Sequence, residues 1–182
     1  MLKKIKIHQG VNLNIDGEAE KIIVDLPRSR TYAVKPDDFF TIVPKLLVKE
    51  GDKVKNGTPL FFSKKNPRIN FVSPVSGIVT SIVRGPKRKI LEIIITDDKK
   101  NDSVFFETAS HEKLTLDEIK ELILKSGFWP FIKQRPYDII SSPEDTPKSI
   151  FISCFSTVPL AVDYDFLLKN DKEDFQLGVN IL

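Results

Sequence analysis

The 182-residue sequence has one cysteine and no long uninterrupted apolar stretch. The single cysteine, Cys154, excludes an internal disulfide and any Cys-rich zinc or iron–sulfur site. Its apolar stretches, such as Ile93–Ile95, are far shorter than the about 20 residues that span a bilayer. His8 and His111 lack the spacing of paired metal ligands, and no motif for nucleophilic catalysis is present. Because Met1–Lys4 leads into charged sequence instead of a secretory signal, we expect a soluble, cytoplasmic protein with no catalytic residue.

Charge is distributed unevenly along the chain. Residues 45–100 carry 13 Lys/Arg and 5 Asp/Glu, a net +8, whereas residues 101–182 carry 8 and 14, a net −6. This pattern indicates either two units with different partners or two ordinary solvated surfaces. The sequence lacks the aromatic strings, finger spacings and basic helices of nucleic-acid readers. We therefore expect no nucleic-acid partner, and a basic nucleic-acid-binding module stays an alternative.

Short apolar stretches alternate with glycine and proline before about residue 110. These stretches are residues 4–13, 21–27, 45–54, 58–62, 69–74, 77–83, 89–95 and 103–107. Strand-length stretches with turn residues at short, regular spacing are typical of an all-β barrel or sandwich. The sequence therefore predicts an all-β domain over residues 1–108.

The pattern becomes helical at Thr115. Residues 115–118 form a capping box, and Gly127 follows where a left-handed helix end is expected. Four apolar residues share one face of the predicted helix: Leu116, Ile119, Leu122 and Ile123. A proline-rich connector follows, with four prolines between residues 130 and 147.

Beyond the connector, residues 148–155 are predicted to form a buried strand that holds Cys154 as a small hydrophobic residue. Residues from Asp171 onward show helical spacing with acids in the first turn. Helix, strand and helix are typical of the beginning of an α/β layer. We therefore predict an α+β chain, whose residues 109–182 form a helix, a proline-rich connector and the start of a truncated α/β domain.

The stretch Val48–Leu60, followed by Val72–Val79, resembles the biotinyl/lipoyl domain family at seven positions. Each of these residue types has a physical role at its position. Gly51 permits a tight turn, the Asp52 carboxylate accepts hydrogen bonds from neighbouring amides, and Gly57 lets the chain turn again. The resemblance implies a barrel-sandwich hybrid in which two strands change sheets between Pro74 and Gly77.

The carrier lysine of that family is missing from its expected place. The matching position is Asn66, followed by Pro67, and the flanking residues differ from those of carrier domains. Lys64 and Lys65 lie close by, so a carrier domain modified at Lys64 or Lys65 stays an alternative.

A second resemblance runs along the whole chain. It rests on residues 3–12, 61–71, 83–91, 126–137 and 148–161, which include the strings FSKKNP and RGPKRK. The chain is similar to the N-terminal region of the A subunit of the sodium-translocating NADH:quinone reductase, whose members are more than twice as long.

This resemblance implies a six-subunit complex of the bacterial inner membrane that oxidises NADH, reduces a quinone and exports sodium. The chain would belong to its peripheral cytoplasmic subunit, which docks on the membrane-embedded flavin subunit near quinone. The flavins and the iron–sulfur cluster are expected in other subunits. Related proteins carry a Gly-rich loop for NADH and flavin after the helix, whereas Gly127–Pro136 has one glycine. We therefore predict no cofactor in this chain.

Two sets of residues are candidates for intermolecular contacts. The cationic set lies on a predicted hairpin and on the loop after residues 77–83; it consists of Lys64, Lys65, Arg68, Arg84, Lys87 and Arg88. These residues either cover solvated loops or contact an acidic partner or lipid headgroups. The aromatic set, Phe128, Trp129 and Phe131 with Arg135, either seals the helix onto the barrel or faces quinone.

Overall fold

A computed structural model describes residues 10, 15–17, 20–106, 113–158 and 160–182. The chain forms two compact units, one of residues 27–148 and one that combines residues 1–26 with 149–182. The first unit contains both the β structure and the helix that follows it. The domain boundary predicted at residue 108 stays a prediction.

Seven strands in the described part of the first unit form two antiparallel sheets. They are β1 (Thr31–Val34), β2 (Pro44–Leu46), β3 (Lys53–Val54), β4 (Pro59–Ser63), β5 (Asn66–Val72), β6 (Gly77–Arg84) and β7 (Ile90–Asp97). One sheet has the order β1-β7-β6-β3 and the other β2-β4-β5. The chain changes sheets between β5 and β6, which confirms the predicted corner and the barrel-sandwich hybrid.

The turns of the biotinyl/lipoyl-like stretch have the predicted geometry. Gly51 has φ +90° and Gly57 has φ +89°, a region that glycine enters without steric cost. The Asp52 carboxylate accepts a hydrogen bond of 2.9 Å from the Lys49 backbone N–H. Val54 and Leu60, which flank the second turn, are buried. The turns therefore direct β3 and β4 so that their apolar residues enter the core.

An aromatic cluster fills the centre of the unit. Phe61 of β4 and Phe71 of β5 are cross-strand partners, and their rings stack with centroids 4.6 Å apart. Phe39 packs edge-on against Phe71 at 4.5 Å. Both Leu60 and Phe61 are buried, although neighbouring strand residues normally face opposite sides. The register shift between Pro59 and Phe61 accounts for this exception, because a bulge re-aims the side chains.

Helix α1 (Leu116–Ser126) begins and ends as predicted, but its buried face differs from the predicted one at its first residue and at Leu124. Thr115 and Glu118 form the reciprocal capping box, and Gly127 closes the helix at φ +79°. Leu124 is 2% exposed, whereas Leu116 of the predicted buried face is 66% exposed. The predicted face is therefore wrong in part. The helix end is pressed onto β5, where a Cβ on Gly127 would lie 2.6 Å from the Val72 side chain, so burial concentrates in the last turns.

Short elements follow the helix. A 3₁₀ helix, Trp129–Phe131, leads into a two-stranded hairpin of β8 (Lys133–Gln134) and β9 (Ile139–Ile140). Trp129 is buried, and its indole N–H donates a 2.8 Å hydrogen bond to the Ser141 carbonyl. The proline-rich connector is thereby fastened to the end of α1.

The second unit contains helices α2 (Tyr164–Leu167) and α3 (Lys172–Ile181), and α3 confirms the helix predicted from Asp171 onward. Residues 148–155 are irregular and exposed, and Cys154 is exposed, so the predicted buried strand is wrong. A strand needs a neighbour for its backbone N–H and C=O groups, and no described segment pairs with this one. No helix in the described ranges is long and apolar enough to cross a membrane.

Other predicted strands differ from the structure as well. Residues 21–27 are irregular and exposed. Among the described residues 103–106, only Ser103 forms a bridge, with Asn56. Most of residues 4–13 lie outside the described residues. Strand β1 was not predicted, because its four residues are too few to show a pattern. Its pairing with β7 along residues 93–96 is a long-range contact that local sequence does not encode.

Gly77 provides a test of the packing between β6 and β7. A Cβ at this position would lie 2.0 Å from the Thr96 carbonyl oxygen, which belongs to the backbone and cannot move aside. We expect Gly77→Ala to lower the free energy of unfolding by about 3 kcal/mol or more. Urea unfolding followed by circular dichroism measures this loss. Gly178→Ala is the control, since nothing lies within 4 Å of its added methyl group in α3; unchanged stability of Gly77→Ala would contradict the described strand packing.

The capping box of α1 predicts a pH dependence. Hydrogen bonds from the Thr115 backbone N–H and hydroxyl lower the pKa of Glu118. A carboxyl group with a lowered pKa in the folded state stabilises the fold above its ordinary pKa, and this contribution is lost as the pH falls through the folded pKa. Urea midpoints between pH 7 and pH 3 should therefore fall less for Glu118→Gln than for the unchanged chain. Parallel pH profiles of the two proteins would contradict the capping geometry.

Candidate functional site

The tip of the β4–β5 hairpin is formed by Lys64 and Lys65. Ser63 pairs with Asn66 across the hairpin, so the two lysines are its exposed turn residues. Asn66, which the sequence comparison with carrier domains places at the tip, is instead the first residue of β5. The Asn66 amide donates to the Glu144 carboxylate at 3.0 Å. The interpretation that Asn66 lies at the tip is therefore wrong, because the turn residues Lys64 and Lys65 directly precede it.

Arg68 differs from the rest of the predicted cationic set because it is held within the unit. Its guanidinium lies 2.5 Å from Glu121 of α1 and 3.2 Å from Glu144 of the connector. The hydrogen bond to Glu121 is the main cause that raises the pKa of Arg68. The pKa of Glu144 is lowered, mainly by the hydrogen bond from the Ser142 hydroxyl. Arg68 thus connects β5 to both segments that follow the β domain.

The turn between β6 and β7 carries three cationic side chains. Lys87 and Arg88 both have positive φ, +55° and +61°, and the Arg84 guanidinium donates to the Arg88 carbonyl at 3.3 Å. Neighbouring lysines are neutralised locally: Lys89 lies 2.7 Å from Asp37, and Lys35 lies 3.4 Å from Glu92.

Five residues of the cationic set form no ion pair with any residue that the structure describes: Lys64, Lys65, Arg84, Lys87 and Arg88. They lie on the turns of two different sheets, and all five are exposed. We call these five residues the free cations. Their charge is available to an anionic partner, whereas that of Arg68 is compensated internally.

The aromatic set divides into buried and exposed members. Trp129 and the following Pro130 are buried and close the end of α1 against the β domain. Phe128 is 66% exposed and Phe131 69% exposed. Arg135, for which the sequence showed no partner, lies 3.7 Å from Asp138 in an exposed ion pair. An apolar partner could therefore contact the two phenylalanines but not the indole.

The segment Gly127–Pro136 does not fit a dinucleotide phosphate site. Its backbone N–H groups already donate to carbonyls: Gly127 to Leu124, Phe128 to Ile123, Phe131 to Phe128, and Ile132 to Trp129. Val72 occupies the space beside Gly127 that a close phosphate approach would need. A phosphate cradle requires several unsatisfied amides around small residues, and these four amides are already engaged.

The described residues contain no group of three or more His, Cys, Asp or Glu side chains that could hold a metal ion. His8 and His111 lie outside the described residues.

Sequence reasoning missed the long-range ion pairs, of which those of two arginines connect distant segments. Arg68 pairs with Glu121 and Glu144, and Arg28 pairs with Asp97, whose carboxylate is fully buried 3.1 Å from the guanidinium. Arg28 also donates to the Asn101 side chain. The partners are about 50 to 80 positions apart in sequence, so no local spacing could reveal them.

Two family models match successive parts of the chain. Residues 5–98 match the model described as the NqrA N-terminal barrel-sandwich hybrid domain. Residues 114–182 match the model described as the NqrA second alpha/beta domain.

Relatives named as the A subunit of the Na(+)-translocating NADH-quinone reductase are similar along almost the whole chain. The protein from Photorhabdus laumondii is 36% identical over 180 residues, which are 98% of this chain and 40% of the relative. Those from Neisseria gonorrhoeae and Pseudomonas aeruginosa are 35% and 33% identical, with the same coverage. The chain thus spans about 40% of the length of the curated relatives that it matches.

The satisfied amides around Gly127 predict the outcome of ligand titrations. We expect the purified 182-residue chain to be colourless and to bind neither NADH nor flavin, because no phosphate cradle is available. Absorbance spectra after gel filtration and calorimetric titration with each ligand measure this. A flavin band that survives gel filtration, or a sub-millimolar affinity for NADH, would contradict the interpretation of this segment.

Proposed function

The chain belongs to the NqrA family, the A subunits of Na(+)-translocating NADH-quinone reductases, and we propose that it forms part of a sodium-pumping NADH:quinone oxidoreductase. In this proposal the complex transfers electrons from NADH to a quinone and couples the transfer to sodium export. The collinear similarity over 98% of the chain is the observation that carries it. Two successive domain models in the order expected for one polypeptide support the same assignment.

Within the complex, we propose a peripheral, non-catalytic role on the cytoplasmic side of the bacterial inner membrane. The satisfied amides of Gly127–Pro136 support a chain without its own redox cofactor. Flavins and an iron–sulfur cluster then belong to other subunits of the six-subunit assembly, and quinone is a substrate of the complex. We also retain the boundary near residue 108 as the proposed division between the two domains.

The free cations are proposed to dock the protein on its membrane-embedded flavin partner. Their exposure and lack of internal counter-charges support this role, because such side chains steer association and form charge-assisted contacts with acidic loops. Arg68 belongs to the predicted cationic set, but its ion pairs with Glu121 and Glu144 connect β5 to α1 and to the connector. The exposed aromatic residues Phe128 and Phe131, with Arg135, are proposed to lie near quinone, and Trp129 supports them from beneath.

A carrier domain modified at Lys64 or Lys65 is a second candidate function. One observation favours it: these two lysines form the exposed tip of the hairpin, where carrier domains of this fold hold their lysine. The neighbours Ser63 and Asn66 differ from the Asp-Lys-Ala and Met-Lys-Met sequences typical of such carriers. The similarity to NqrA proteins over the whole chain makes the docking role the stronger proposal.

A five-site charge reversal tests the docking role. Replacing each free cation by glutamate in the full-length protein should weaken its association with the membrane subunits. Each exposed pair contributes about 0.5 kcal/mol, so the five together should reduce affinity about 100-fold, most strongly at low ionic strength. Arg68 is left unchanged, because a glutamate there would face Glu121 and Glu144 and disturb the fold. Co-purification of the detergent-solubilised complex measures the effect.

The control is a matched reversal of five exposed lysines elsewhere: Lys49, Lys53, Lys55, Lys99 and Lys125. This control should co-purify like the unchanged protein, and both variants should keep their melting temperature. Undiminished co-purification of the five-site variant at low salt would mean that docking uses another surface.

A further inference from the structure

We infer that the β6–β7 turn, together with three exposed phenylalanines beside it, forms a membrane-contact patch that binds anionic lipid headgroups. The patch consists of Arg84, Lys87, Arg88, Phe40, Phe128 and Phe131. It deepens the proposed docking role, on which it rests, by giving the three cations of this turn a second anionic contact, the lipid headgroups beside the protein partner.

The backbone of the turn is strained where it presents its charges. Lys87 and Arg88 are consecutive non-glycine residues with φ +55° and +61°. A side chain in this region is sterically disfavoured, so two in succession require support from the surroundings. That support comes from the Arg84 guanidinium, which donates to the Arg88 carbonyl. Strain of this kind is typical of functional loops.

The charges of the turn have no acidic partner in the described residues, although acidic side chains lie close by. Asp37 is engaged by Lys89 at 2.7 Å and Glu92 by Lys35 at 3.4 Å. The local acids thus neutralise the lysines behind the turn, and a net positive charge stays at its tip. An anionic ligand would meet three cations without first displacing an internal ion pair.

The 3₁₀ helix Pro36–Asp38 connects the turn to the phenylalanines. Its Asp37 binds Lys89, and the next residue after the helix, Phe39, packs against Phe131 with ring centroids 6.5 Å apart. Phe40, Phe128 and Phe131 are 64%, 66% and 69% exposed. Largely exposed phenylalanines on two segments that the Phe39–Phe131 contact joins are unusual for a surface that meets only water.

Cations beside exposed aromatic rings fit the surface of an anionic bilayer. Headgroup phosphates attract Lys and Arg, and rings enter the boundary between headgroups and acyl chains. A bilayer also accepts rings without a matching pocket, whereas a protein partner would need complementary cavities. Stable peripheral binding usually requires two weak contributions, here the attraction of cations to headgroups and the burial of aromatic rings.

Vesicle binding tests the patch directly. We expect the 182-residue chain to co-sediment with vesicles of about one third phosphatidylglycerol in phosphatidylcholine, and not with pure phosphatidylcholine. The triple variant Arg84→Gln, Lys87→Gln, Arg88→Gln should lose about 100-fold in partitioning onto the anionic vesicles, since each cation contributes about fivefold. The variant Phe40→Ser, Phe128→Ser should lose about 10-fold or more. Both should keep the circular dichroism spectrum and melting temperature of the unchanged chain.

The matched control is Lys53→Gln, Lys55→Gln, Lys99→Gln, which removes the same charge at the opposite end of the β6–β7 hairpin. This control should bind vesicles like the unchanged chain. Equal loss in the control and the triple variant would mean that net charge alone drives binding, and it would overturn the patch. Unchanged vesicle binding of the triple variant would overturn it as well.

Co-purification separates this inference from the proposed function. In detergent, where no bilayer is present, the triple glutamine variant in the full-length protein should lose only the share of assembly that the docking role gives these three cations, about 10-fold. Loss of assembly without loss of vesicle binding would assign the turn to a protein contact and overturn the lipid inference. Normal assembly of the five-site reversal, in contrast, would count against the docking role and leave vesicle binding to be judged by its own result.

Discussion

The stacking of Phe61 on Phe71 is the interaction on which the rest of the first unit depends. The two rings join β4 to β5 at the centre of the core, and Phe39 packs edge-on against Phe71. Phe39 in turn contacts Phe131, beyond the end of α1. Aromatic rings contribute large buried areas and favour specific geometries. One ladder of rings therefore links the β2-β4-β5 sheet, the segment that carries Asp37 and the connector.

This ladder explains why the candidate contact residues lie where they do. The turn between β6 and β7 is held through Lys89 and Asp37, and Asp37 belongs to the segment that Phe39 anchors. Arg68, on β5, adds a polar connection to Glu121 and Glu144. The ion pairs of Arg68 thus hold the helix and the connector to β5. The free cations, in contrast, stay exposed on two turns. We propose that a biotinyl/lipoyl-like barrel retained in this form serves assembly and does not act as a carrier.

Sequence reasoning recovered the features that depend on local chemistry. The Gly51–Asp52 turn, the Thr115 capping box and the left-handed Gly127 require particular residues at fixed spacing, and all three are present. Features that depend on distant partners were missed or mistaken. Strand β1 forms because its backbone pairs with the edge of β7. The charge of Arg68 is neutralised by two glutamates more than 50 positions away in sequence. Residues 148–155 have strand-like composition but no neighbour among the described segments, so composition alone misled the prediction.

The central claim is that the chain is a structural part of a membrane-bound redox complex and not a carrier of a covalent cofactor. Native mass spectrometry of the complex, purified by a tag on this protein from its own host, tests both halves together. The account predicts one assembly that contains this protein with the membrane and flavin subunits, and release of this protein with the mass of its sequence. A released protein whose mass exceeds its sequence by a lipoyl or biotinyl group on Lys64 or Lys65 would contradict it.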